Sequence, residues 1–407
     1  MEKIILKRVN ELIERKNEAK FSIDGIRFKT LGEGSFGIVY RATGNKDIIV
    51  KIMKKKENRE PDQEPRKCLK IKQKVDALEE GEKKQLVKKY ITEILDVKLD
   101  IPNEVIFMEY LEGDDLHKYL DKEEEIDEDV FYILMSKIYL AVFIFHNILK
   151  YSHRDLKLGN IFYNDSSGTL KLIDFGFACA FNDFNCYNRY QGTSIYIHPK
   201  MNKKMLNQLN GGAILKGLKS KKKGVGRLNI NTSKNKIKSF KNLKMSSSSS
   251  NNSSNFPKPR SQDIFSLIII TFKIYSYIDK NQNKEEKKLY NYLKMLFSSN
   301  PKNLNRRDKF SQRYIKKNVL FKNLKSIDET KITNKLISKL INLIKKYWNF
   351  EENNFINENG RDKSKKIFSK LLDISIDSIS NKDSISNKQE NQMKIKTELL
   401  LEKEIIL

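Results

Sequence analysis

The sequence has few of the residues that hold small secreted proteins or fibrous proteins together. It contains three cysteines, seven prolines and one tryptophan among 407 residues. Cys68, Cys179 and Cys186 are too few and too scattered for a disulfide framework or a four-ligand zinc site, and they suggest a reducing, intracellular compartment. The low proline count and the lack of a Gly-X-Y period exclude a collagen-like rod.

Long hydrophobic runs are also scarce. Residues 1–20 carry many Lys, Arg and Glu residues and lack the apolar stretch of a secretory signal. The two most apolar stretches are 130–149 and 264–278, and both are interrupted by basic side chains such as Lys137 and Lys273. We therefore expect two buried helices and no membrane span. The expected location is intracellular and cytoplasmic, with the nucleus as the alternative.

Acidic residues are missing from one long segment. The chain has 79 Lys and Arg against 52 Asp and Glu, which gives 79 − 52 = +27, and residues 200–260 contain 16 Lys and Arg with no acid. Low hydrophobicity, like charge and a serine run predict that 202–258 is a disordered insert. It is either a solvated spacer or an electrostatic arm for nucleic acid, acidic proteins or an anionic membrane. Its two aromatic residues, Phe240 and Phe256, give base stacking little support.

Hydrophobic residues make up 39% of the chain, which is enough for a folded core and excludes a wholly disordered protein. A glycine-rich segment in the folded part indicates phosphate binding. Gly32, Gly34 and Gly37 form a GxGxxGxV pattern between two strand-like stretches, and glycines let the backbone approach phosphate oxygens closely. No helix follows at once, which argues against a dinucleotide-binding turn. Lys51 lies in an apolar strand a little further on, where a buried cation needs an anionic partner such as phosphate.

Two more motifs follow in order along the chain. His153 to Asn160 is HRDLKLGN, and Asp174 to Gly176 is DFG after an apolar strand. With the glycine-rich segment and the strand lysine, this set resembles the eukaryotic-type protein kinases over roughly residues 26–373. The resemblance implies an α+β, two-lobed protein kinase fold, with a small β-rich N-lobe and a large α-helical C-lobe that carries the disordered basic insert.

The resemblance also divides the chain into domains. The predicted parts are an N-terminal helical extension at 1–25, a kinase domain at 26–373 with an N-lobe at 26–111 and a C-lobe at 112–373, and a C-terminal tail at 374–407. The Lys-, Asn- and Ile-rich usage suggests an AT-rich genome, such as that of a protist or a large DNA virus. We expect a monomer.

The same resemblance assigns the catalytic roles. Lys51 would hold the α- and β-phosphates of ATP, and Asp155 would orient or accept the proton of the substrate hydroxyl. Lys157 would neutralise charge on the moving phosphoryl group. Asn160 and Asp174 would hold Mg²⁺, a hard cation that prefers such oxygen ligands.

The nucleotide pocket follows by the same comparison. Backbone groups of Glu109 and Leu111, after a gatekeeper at Met108, would pair with adenine, and Asp115 would bind the ribose. Leu31, Val39 and Phe162 would sandwich the adenine ring, although core packing explains such apolar residues almost as well. The implied cofactor-binding residues are Leu31, Gly32, Glu33, Gly34, Ser35, Phe36, Gly37, Val39, Lys51, Glu109, Leu111, Asp115 and Phe162.

The substrate class has its own signals. Lys157 and the GTSIY segment at 192–196 resemble the serine/threonine branch, so the expected substrates are proteins, and acidic ones if the insert recruits them. Arg154 often accompanies phosphorylation of the activation segment in this family. Tyr187 and Tyr190 are hydroxyls available there, whereas we expect Thr193 to be structural.

Several positions depart from the family pattern. The glutamate that should pair with Lys51 is ambiguous: a simple alignment places Cys68 there, and Glu64, Glu79, Glu80 or no residue at all stay open. Pro65 directly follows Glu64, which indicates that Glu64 lies at the entry of a helix.

Two further sites concern the C-lobe. The APE glutamate is replaced by Lys200, which would repel Arg361, so another tether is needed, with Asp362 as a candidate. Asp263 is expected to brace the backbone of the catalytic loop. The interpretation is thus a serine/threonine kinase, with a pseudokinase scaffold that binds nucleotide and acidic partners, and a nucleic-acid-binding protein, as the alternatives.

Overall fold

We describe the protein from a computed structural model of the chain. The residues that it describes are 7–34, 37–44, 46–54, 63–99, 103–183, 186, 191–201, 259–278, 283–298, 306–349, 354–355, 363–379 and 387–406. The predicted basic insert at 202–258 lies outside them. A sheet lobe comes first and a helical lobe follows, which confirms the predicted α+β architecture.

The first lobe is built on a six-stranded antiparallel sheet. Its strands are β1 (Lys20–Ile23), β2 (Ile26–Glu33), β3 (Gly37–Thr43), β4 (Ile48–Met53), β5 (Ile94–Lys98) and β6 (Val105–Glu109). Their order in the sheet is β1-β2-β3-β4-β6-β5. Helix α1 (Val9–Glu14) precedes the sheet, and α2 (Gln63–Asp76) and α3 (Glu82–Tyr90) connect β4 to β5.

The two faces of this sheet have different roles. Ile48, Val50 and Ile52 alternate along β4 and are buried in one core with Leu12 of α1, because successive side chains of a strand point to opposite faces. Lys51 therefore points to the other face. Helix α1 covers the outer side of the sheet, and Lys20–Ile23 is a strand of it. The prediction that all of 1–25 is a helical extension was wrong at this strand, which pairs in register with β2.

The second lobe is mainly helical. Its helices are α4 (Leu116–Glu123), α5 (Glu128–Asn147), α6 (Pro259–Tyr275), α7 (Lys284–Phe297), α8 (Arg306–Leu324), α9 (Lys335–Tyr347), α10 (Ser364–Asp377) and α11 (Asn387–Ile406). The second lobe also contains short strands, namely β7 (Asp114–Asp115), β8 (Tyr151–Ser152), β9 (Ile161–Asn164), β10 (Thr169–Leu172), β11 (Cys179–Ala180), β12 (Trp348–Asn349) and β13 (Asn354–Phe355). Strands β7, β9 and β10 form one small sheet, and β8 pairs with β11.

The core of the second lobe is formed by α5 and α6. Helix α5 is apolar almost all round, which is typical of a helix buried on every side. Among the described residues it is the one helix long and apolar enough to cross a membrane by length and composition, and 78% of that window is buried inside the fold. Both predicted apolar stretches are therefore core helices, as expected.

The C-terminal segment, predicted as a tail, contains a docked helix. Helix α10 continues to Asp377, and α11 packs against α3, α5 and α10. Lys89 of α3 donates a hydrogen bond to Glu402 (2.7 Å) and also bonds Glu398, while the buried Tyr90 hydroxyl donates to Glu402 (2.6 Å). This last helix therefore joins the helix pair of the first lobe to the core of the second.

We expect Glu402→Ala to lower the free energy of unfolding by about 2 kcal/mol, because it leaves the buried Tyr90 hydroxyl without an acceptor. Glu398→Ala is the matched control, since Glu398 also bonds Lys89 but its side chain is 54% exposed, against 8% for Glu402. The Glu398→Ala variant should lose less than about 1 kcal/mol of unfolding free energy. Urea denaturation measures both, and equal losses would contradict the docking of α11.

Candidate active site

Lys51 lies on the inner face of β4 and forms an ion pair with Glu64 of α2. Both side chains are largely buried, with 15% and 7% of their surfaces exposed. Burial by itself lowers the pKa of Lys51, but the negative charges of Glu64 and Asp174 outweigh it, and the pKa is raised above its ordinary value. Lys51 is therefore a permanently charged ammonium group that faces the space between the lobes.

Glu64 is the partner that the sequence left undecided. Helix α2 begins at Gln63, so Pro65 falls in its first turn, where a proline has no helical hydrogen bond to lose. The helix ends at Asp76, and Glu79 and Glu80 lie beyond it, with Glu80 bonded to Lys84 on the surface. Cys68, one turn after Glu64, is buried in the core, where burial raises the pKa of its thiol.

Asp155 stands at the centre of the predicted catalytic residues and is only 4% exposed. Its Oδ1 accepts hydrogen bonds from the Thr193 amide (2.7 Å) and the Thr193 hydroxyl (2.8 Å). Its Oδ2 accepts from Lys157 Nζ (2.9 Å) and Asn160 Nδ2 (3.1 Å). The structure thus brings Asp155, Lys157 and Asn160 together, and Thr193 has the structural role that the sequence predicted.

The backbone that carries Asp155 is held by the buried carboxylate of Asp263, on α6. Its Oδ1 accepts from the Arg154 amide (2.7 Å), and its Oδ2 accepts from the His153 amide (2.7 Å) and the Ser152 hydroxyl (2.9 Å). Burial lowers the pKa of His146, so its imidazole is neutral and its Nε2 donates to Asp263 as well (2.8 Å). Asp263 is therefore the brace that the sequence predicted.

The electrostatics of this brace favour an ionised carboxylate. Burial by itself would raise the pKa of Asp263, but the hydrogen bonds that the carboxylate accepts from His146 and from the Arg154 amide outweigh it. The pKa lies below its ordinary value of 3.8. Asp263 is therefore charged at neutral pH although it is completely buried.

Asp174 and Arg154 both have left-handed backbone conformations, with φ of 62° and 66°. Such values are uncommon outside glycine and cluster at functional sites. Phe175, next to Asp174, is buried and its ring lies 5.7 Å from that of Phe145 and 5.9 Å from that of His153. Because Phe175 is anchored in the core, the neighbouring carboxylate of Asp174 stays exposed and close enough to raise the pKa of Lys51.

The residues predicted to hold Mg²⁺ fit a hard cation. Asn160 uses its amide NH₂ group on Asp155, through the carbonyl (2.9 Å) and Oδ2, so its side-chain oxygen stays available as a ligand. The Asn160 carbonyl accepts from the Ile173 amide (3.1 Å), which ties this residue to the start of the DFG motif. Asp174, the residue after Ile173, supplies an exposed carboxylate. Amide and carboxylate oxygens are the donors that Mg²⁺ prefers.

The glycine-rich turn leaves room for phosphate groups. The Gly34 amide donates to the Gly37 carbonyl (2.9 Å), which closes the turn between β2 and β3. A Cβ atom on Gly37 would lie 2.5 Å from the carbonyl oxygen of Ile52, so only glycine fits there. Apart from the glycine itself and its two chain neighbours, no atom of the described residues lies within 4 Å of a Cβ built on Gly32 or Gly34, so the space beside these two is open.

Most of the residues predicted to line the nucleotide pocket lie in the described part of the chain. Val39 is directly opposite Lys51 in the register of β3 and β4, so both face the space between the lobes. Leu31 is 52% exposed at the rim, and Glu33 forms an ion pair with Lys54. Two predicted pocket residues lie outside the described residues: Ser35 and Phe36.

The segment joining the lobes begins at Glu109. Its amide donates to the Glu93 carbonyl (3.1 Å) and its carboxylate accepts from Lys171 (2.5 Å). The Glu109 backbone carbonyl is thus the group that we expect to meet adenine. Leu111 follows at a half-buried position.

Asp115 and Phe162 lie side by side on β7 and β9. Asp115 also begins α4, because its Oδ1 accepts from the Lys118 amide (3.1 Å). Both side chains are half-buried. The predicted ribose and adenine contacts are therefore adjacent in space.

The segment after Thr193 is tethered by a residue that sequence reasoning missed. Lys317 of α8 is completely buried, and its ammonium group donates to the carbonyls of Ser194 (2.9 Å) and Ile197 (2.7 Å). Burial lowers the pKa of Lys317 well below its ordinary value. The predicted partners Arg361 and Asp362 lie outside the described residues. Nothing in the local sequence marks Lys317, because its partners are backbone groups about 120 positions away.

Two of the three cysteines lie in contact. The sequence indicated that the cysteines are too few and too scattered for a disulfide framework, and the structure adds that the sulfurs of Cys179 and Cys186 are in bonding contact, with Cα atoms 5.9 Å apart. The segment after the DFG motif folds back on itself, which brings the two positions together. Tyr187 and Tyr190, which the sequence singled out, lie outside the described residues.

Comparisons with known proteins agree with this geometry. Residues 26–208 match the family model of the protein kinase domain. The chain is 31% identical over 45% of its length to serine/threonine-protein kinase cot-1 of Neurospora crassa, of which the match covers 30%. It is 30% identical over 39% of its length to serine/threonine-protein kinase CBK1 of Yarrowia lipolytica (26% of that protein) and 27% identical over 42% to mitogen-activated protein kinase kinase kinase 3 of Arabidopsis thaliana (27% of that protein).

The fold, the motif geometry and these matches indicate a protein kinase domain in residues 26–208. This part of the chain is similar to the eukaryotic-type protein kinases, and the relatives named here include serine/threonine-protein kinases. The matched part spans between about a quarter and a third of the length of the first curated relatives.

We expect Glu64→Gln to weaken ATP binding about tenfold, because Lys51 loses the charge that orients it towards the phosphates. Glu80→Gln is the matched control, since that glutamate was a rival in the sequence and lies on the surface beyond α2. Isothermal titration with ATP and Mg²⁺ measures both. Equal affinities for the two variants would contradict the assignment of Glu64.

Asp263→Asn tests the brace. A carboxyl group with a lowered pKa contributes stability that is complete above its unfolded value of 3.8 and is lost as the pH falls through its folded value. At neutral pH the variant should lose about 3 kcal/mol, because several amide donors lose a charged acceptor. Below pH 3.8 the difference in unfolding free energy between wild type and variant should become smaller.

Urea denaturation at neutral pH and below pH 3.8 measures this difference in unfolding free energy. Asp76→Asn, which removes an exposed carboxylate paired with Lys72, is the control and should change little at either pH. A gap for Asp263→Asn that is the same at both pH values would contradict a buried, ionised Asp263.

Proposed function

We propose that this chain is a serine/threonine protein kinase that transfers the γ-phosphoryl group of ATP to protein hydroxyl groups. The observation that carries the proposal is the joint placement of Lys51 with Glu64 and of Asp155 with Lys157 and Asn160. Phosphoryl transfer asks a protein chiefly for positioning and charge stabilisation, and these groups supply both.

The roles follow from the contacts. Lys51 would bind the α- and β-phosphates, and the open space beside Gly32 and Gly34 would admit the phosphate chain. Asn160 and Asp174 would hold Mg²⁺. When bound, Mg²⁺ neutralises charge on the β- and γ-phosphates.

The substrate hydroxyl needs an oxygen of Asp155, and this carboxylate already accepts four hydrogen bonds. A carboxylate offers about four lone-pair positions, so one donor has to leave. Lys157 is the donor that can leave, because it is a flexible cation, 30% exposed, that the γ-phosphate would attract. Its movement would free Oδ2 for the hydroxyl and place the ammonium group beside the moving phosphoryl group.

The finer features of the proposal come from the sequence. Lys157 and the loop at Thr193 favour serine or threonine acceptors, and the basic insert at 202–258 favours acidic protein substrates. We also propose an intracellular, cytoplasmic location. Among the described residues no observation favours the pseudokinase alternative, and the insert on which the nucleic-acid alternative rests lies outside them.

The test is phosphate transfer from radiolabelled ATP with Mg²⁺ to casein, which is acidic, and to myelin basic protein, which is basic. Asp155→Asn should lower kcat by about 10²–10⁴-fold, the usual contribution of a general base, while the protein still binds ATP. Phosphoamino-acid analysis should find phosphoserine and phosphothreonine.

Asp165→Asn is the control, because that aspartate is exposed and contacts only tyrosine hydroxyls in the described part of the chain. Its turnover should match the wild type. A folded wild-type protein that binds ATP without transferring phosphate would overturn the proposal in favour of a pseudokinase. Equal transfer by the Asp155→Asn variant would overturn the role of Asp155.

A further inference from the structure

The segment after the DFG motif contains a pair of cysteines that the proposed phosphoryl transfer does not use. Cys179 lies on β11, which pairs with β8 just before the catalytic loop, and is buried. Cys186 is partly buried, and its Cα lies 5.9 Å from that of Cys179, within the usual range for a disulfide. If the pair is reduced, the Cys179 thiol has the Asp183 carbonyl within reach as an acceptor and the Cys186 thiol has that of Ala178 (each 3.7 Å).

One side chain connects this pair to the catalytic loop. Arg154 directly precedes Asp155, and its Nη1 donates to the Cys186 carbonyl (2.8 Å) and to Gln191 (3.2 Å). Its amide is held by Asp263. The position of Cys186 therefore influences where the segment runs relative to the catalytic aspartate.

We propose that Cys179 and Cys186 form a reversible disulfide that clamps this segment onto Arg154 and so favours the arrangement competent for peptide phosphorylation. This inference rests on the proposed kinase activity for its functional consequence, but the bond itself does not. The bond would close the loop 179–186 and restrict the backbone that presents the Cys186 carbonyl to Arg154. Reduction would release the loop and weaken that contact.

The chemistry is thiol–disulfide exchange with a small disulfide such as oxidised glutathione. Cys186 is the more accessible of the two, and the guanidinium of Arg154 lies 3.7 Å from its sulfur, where it stabilises a thiolate. The Cys186 thiolate attacks one glutathione sulfur, forms a mixed disulfide and releases one glutathione thiolate, which takes up a proton. The Cys179 thiolate then attacks the Cys186 sulfur and releases the second glutathione. Two cysteine thiols are oxidised and one glutathione disulfide is reduced to two thiols.

A metal ion is the rival occupant, because the Asp183 carboxylate and the two sulfurs lie within 4.8 Å of one another. Two observations favour the disulfide. The Asp183 Oδ1 atom already accepts from the Cys186 amide (2.9 Å). The cleft of about 330 Å³ beside the pair is walled by cations of α2, which stabilise a thiolate and repel a divalent cation. These are Arg66, Lys67 and Lys70.

Mass spectrometry tests the bond without any need for activity. The full chain is treated with oxidised glutathione or with dithiothreitol, then denatured, alkylated and digested with trypsin without reduction. Both cysteines fall in one tryptic peptide, 172–189, between Lys171 and Arg189. After oxidation this peptide should be unalkylated and lighter by two hydrogens, whereas Cys68, in the peptide 68–70, should be alkylated under both conditions.

The contrary results are equally clear. Alkylation of both cysteines after oxidation, or a lasting glutathione adduct on Cys186, would overturn the proposal. Protection that disappears when a chelator is added, with no loss of hydrogens, would identify a metal site instead and would overturn it as well.

A kinetic experiment compares kcat/KM for a peptide substrate between the oxidised and the reduced protein. Oxidised wild type should exceed reduced wild type by about fivefold, the lower end of typical coupling between sites, mainly through the peptide KM. Cys186→Ser should stay at the lower value under both conditions, and Cys68→Ser should keep the redox response. A disulfide that forms without changing kcat/KM would overturn the regulatory part.

Hydrogen exchange separates this inference from the proposed function. Amides of 177–186 should exchange more slowly in the oxidised protein than in the reduced protein, whether or not phosphate is transferred. If the chain proves inactive but shows this difference, the clamp stands and the kinase proposal fails. If exchange is the same in both states, the clamp fails.

Discussion

The buried carboxylate of Asp263 fixes the part of the molecule on which the candidate chemistry depends. Arg154 has a left-handed backbone, a conformation that costs about 1–3 kcal/mol for a residue other than glycine. Hydrogen bonds from the His153 and Arg154 amides to an ionised acceptor, both at 2.7 Å, offset that cost, since each contributes roughly 1.5–3 kcal/mol. The next residue is Asp155, so its position between the lobes is a consequence of a charge buried in helix α6.

In the first lobe, helix α2 contacts both Lys51 and the DFG motif. Glu64 pairs with Lys51 of the sheet, and one turn later Lys67 donates to the Gly176 carbonyl of the DFG motif (2.8 Å). A shift of α2 would therefore disturb Lys51 and the DFG motif together. Thr92, just after α3, adds a further link, because its hydroxyl and amide both donate to the Leu172 carbonyl shortly before that motif. The two lobes are thus coupled by hydrogen bonds to backbone carbonyls, while the Lys51–Glu64 ion pair joins the sheet to α2 within the first lobe.

The sequence was sufficient for the groups whose chemistry lies within a short motif. Asp155 and Asn160 occur five positions apart, so their meeting follows from local geometry. Glu64 could not be chosen, because a proline beside it looks like a helix breaker unless the first residue of the helix is known. Lys317 could not be found at all, since its partners are carbonyls brought near by the packing of α8. The pairing of Cys179 also depends on how the chain folds back after β11, which composition does not show.

The missing APE glutamate has a structural replacement that bears on activity. In the described residues the contacts that hold the segment after the DFG motif include three anchors: Thr193 on Asp155, Lys317 on two carbonyls and Arg154 on another. Two of these three anchors, those of Lys317 and Arg154, hold backbone carbonyls, which every residue supplies. Anchoring of this kind does not depend on an acidic side chain at position 200, so Lys200 can stand there without freeing the segment. The loss of that glutamate therefore changes the means of attachment, and it gives no reason to regard the kinase domain as inactive.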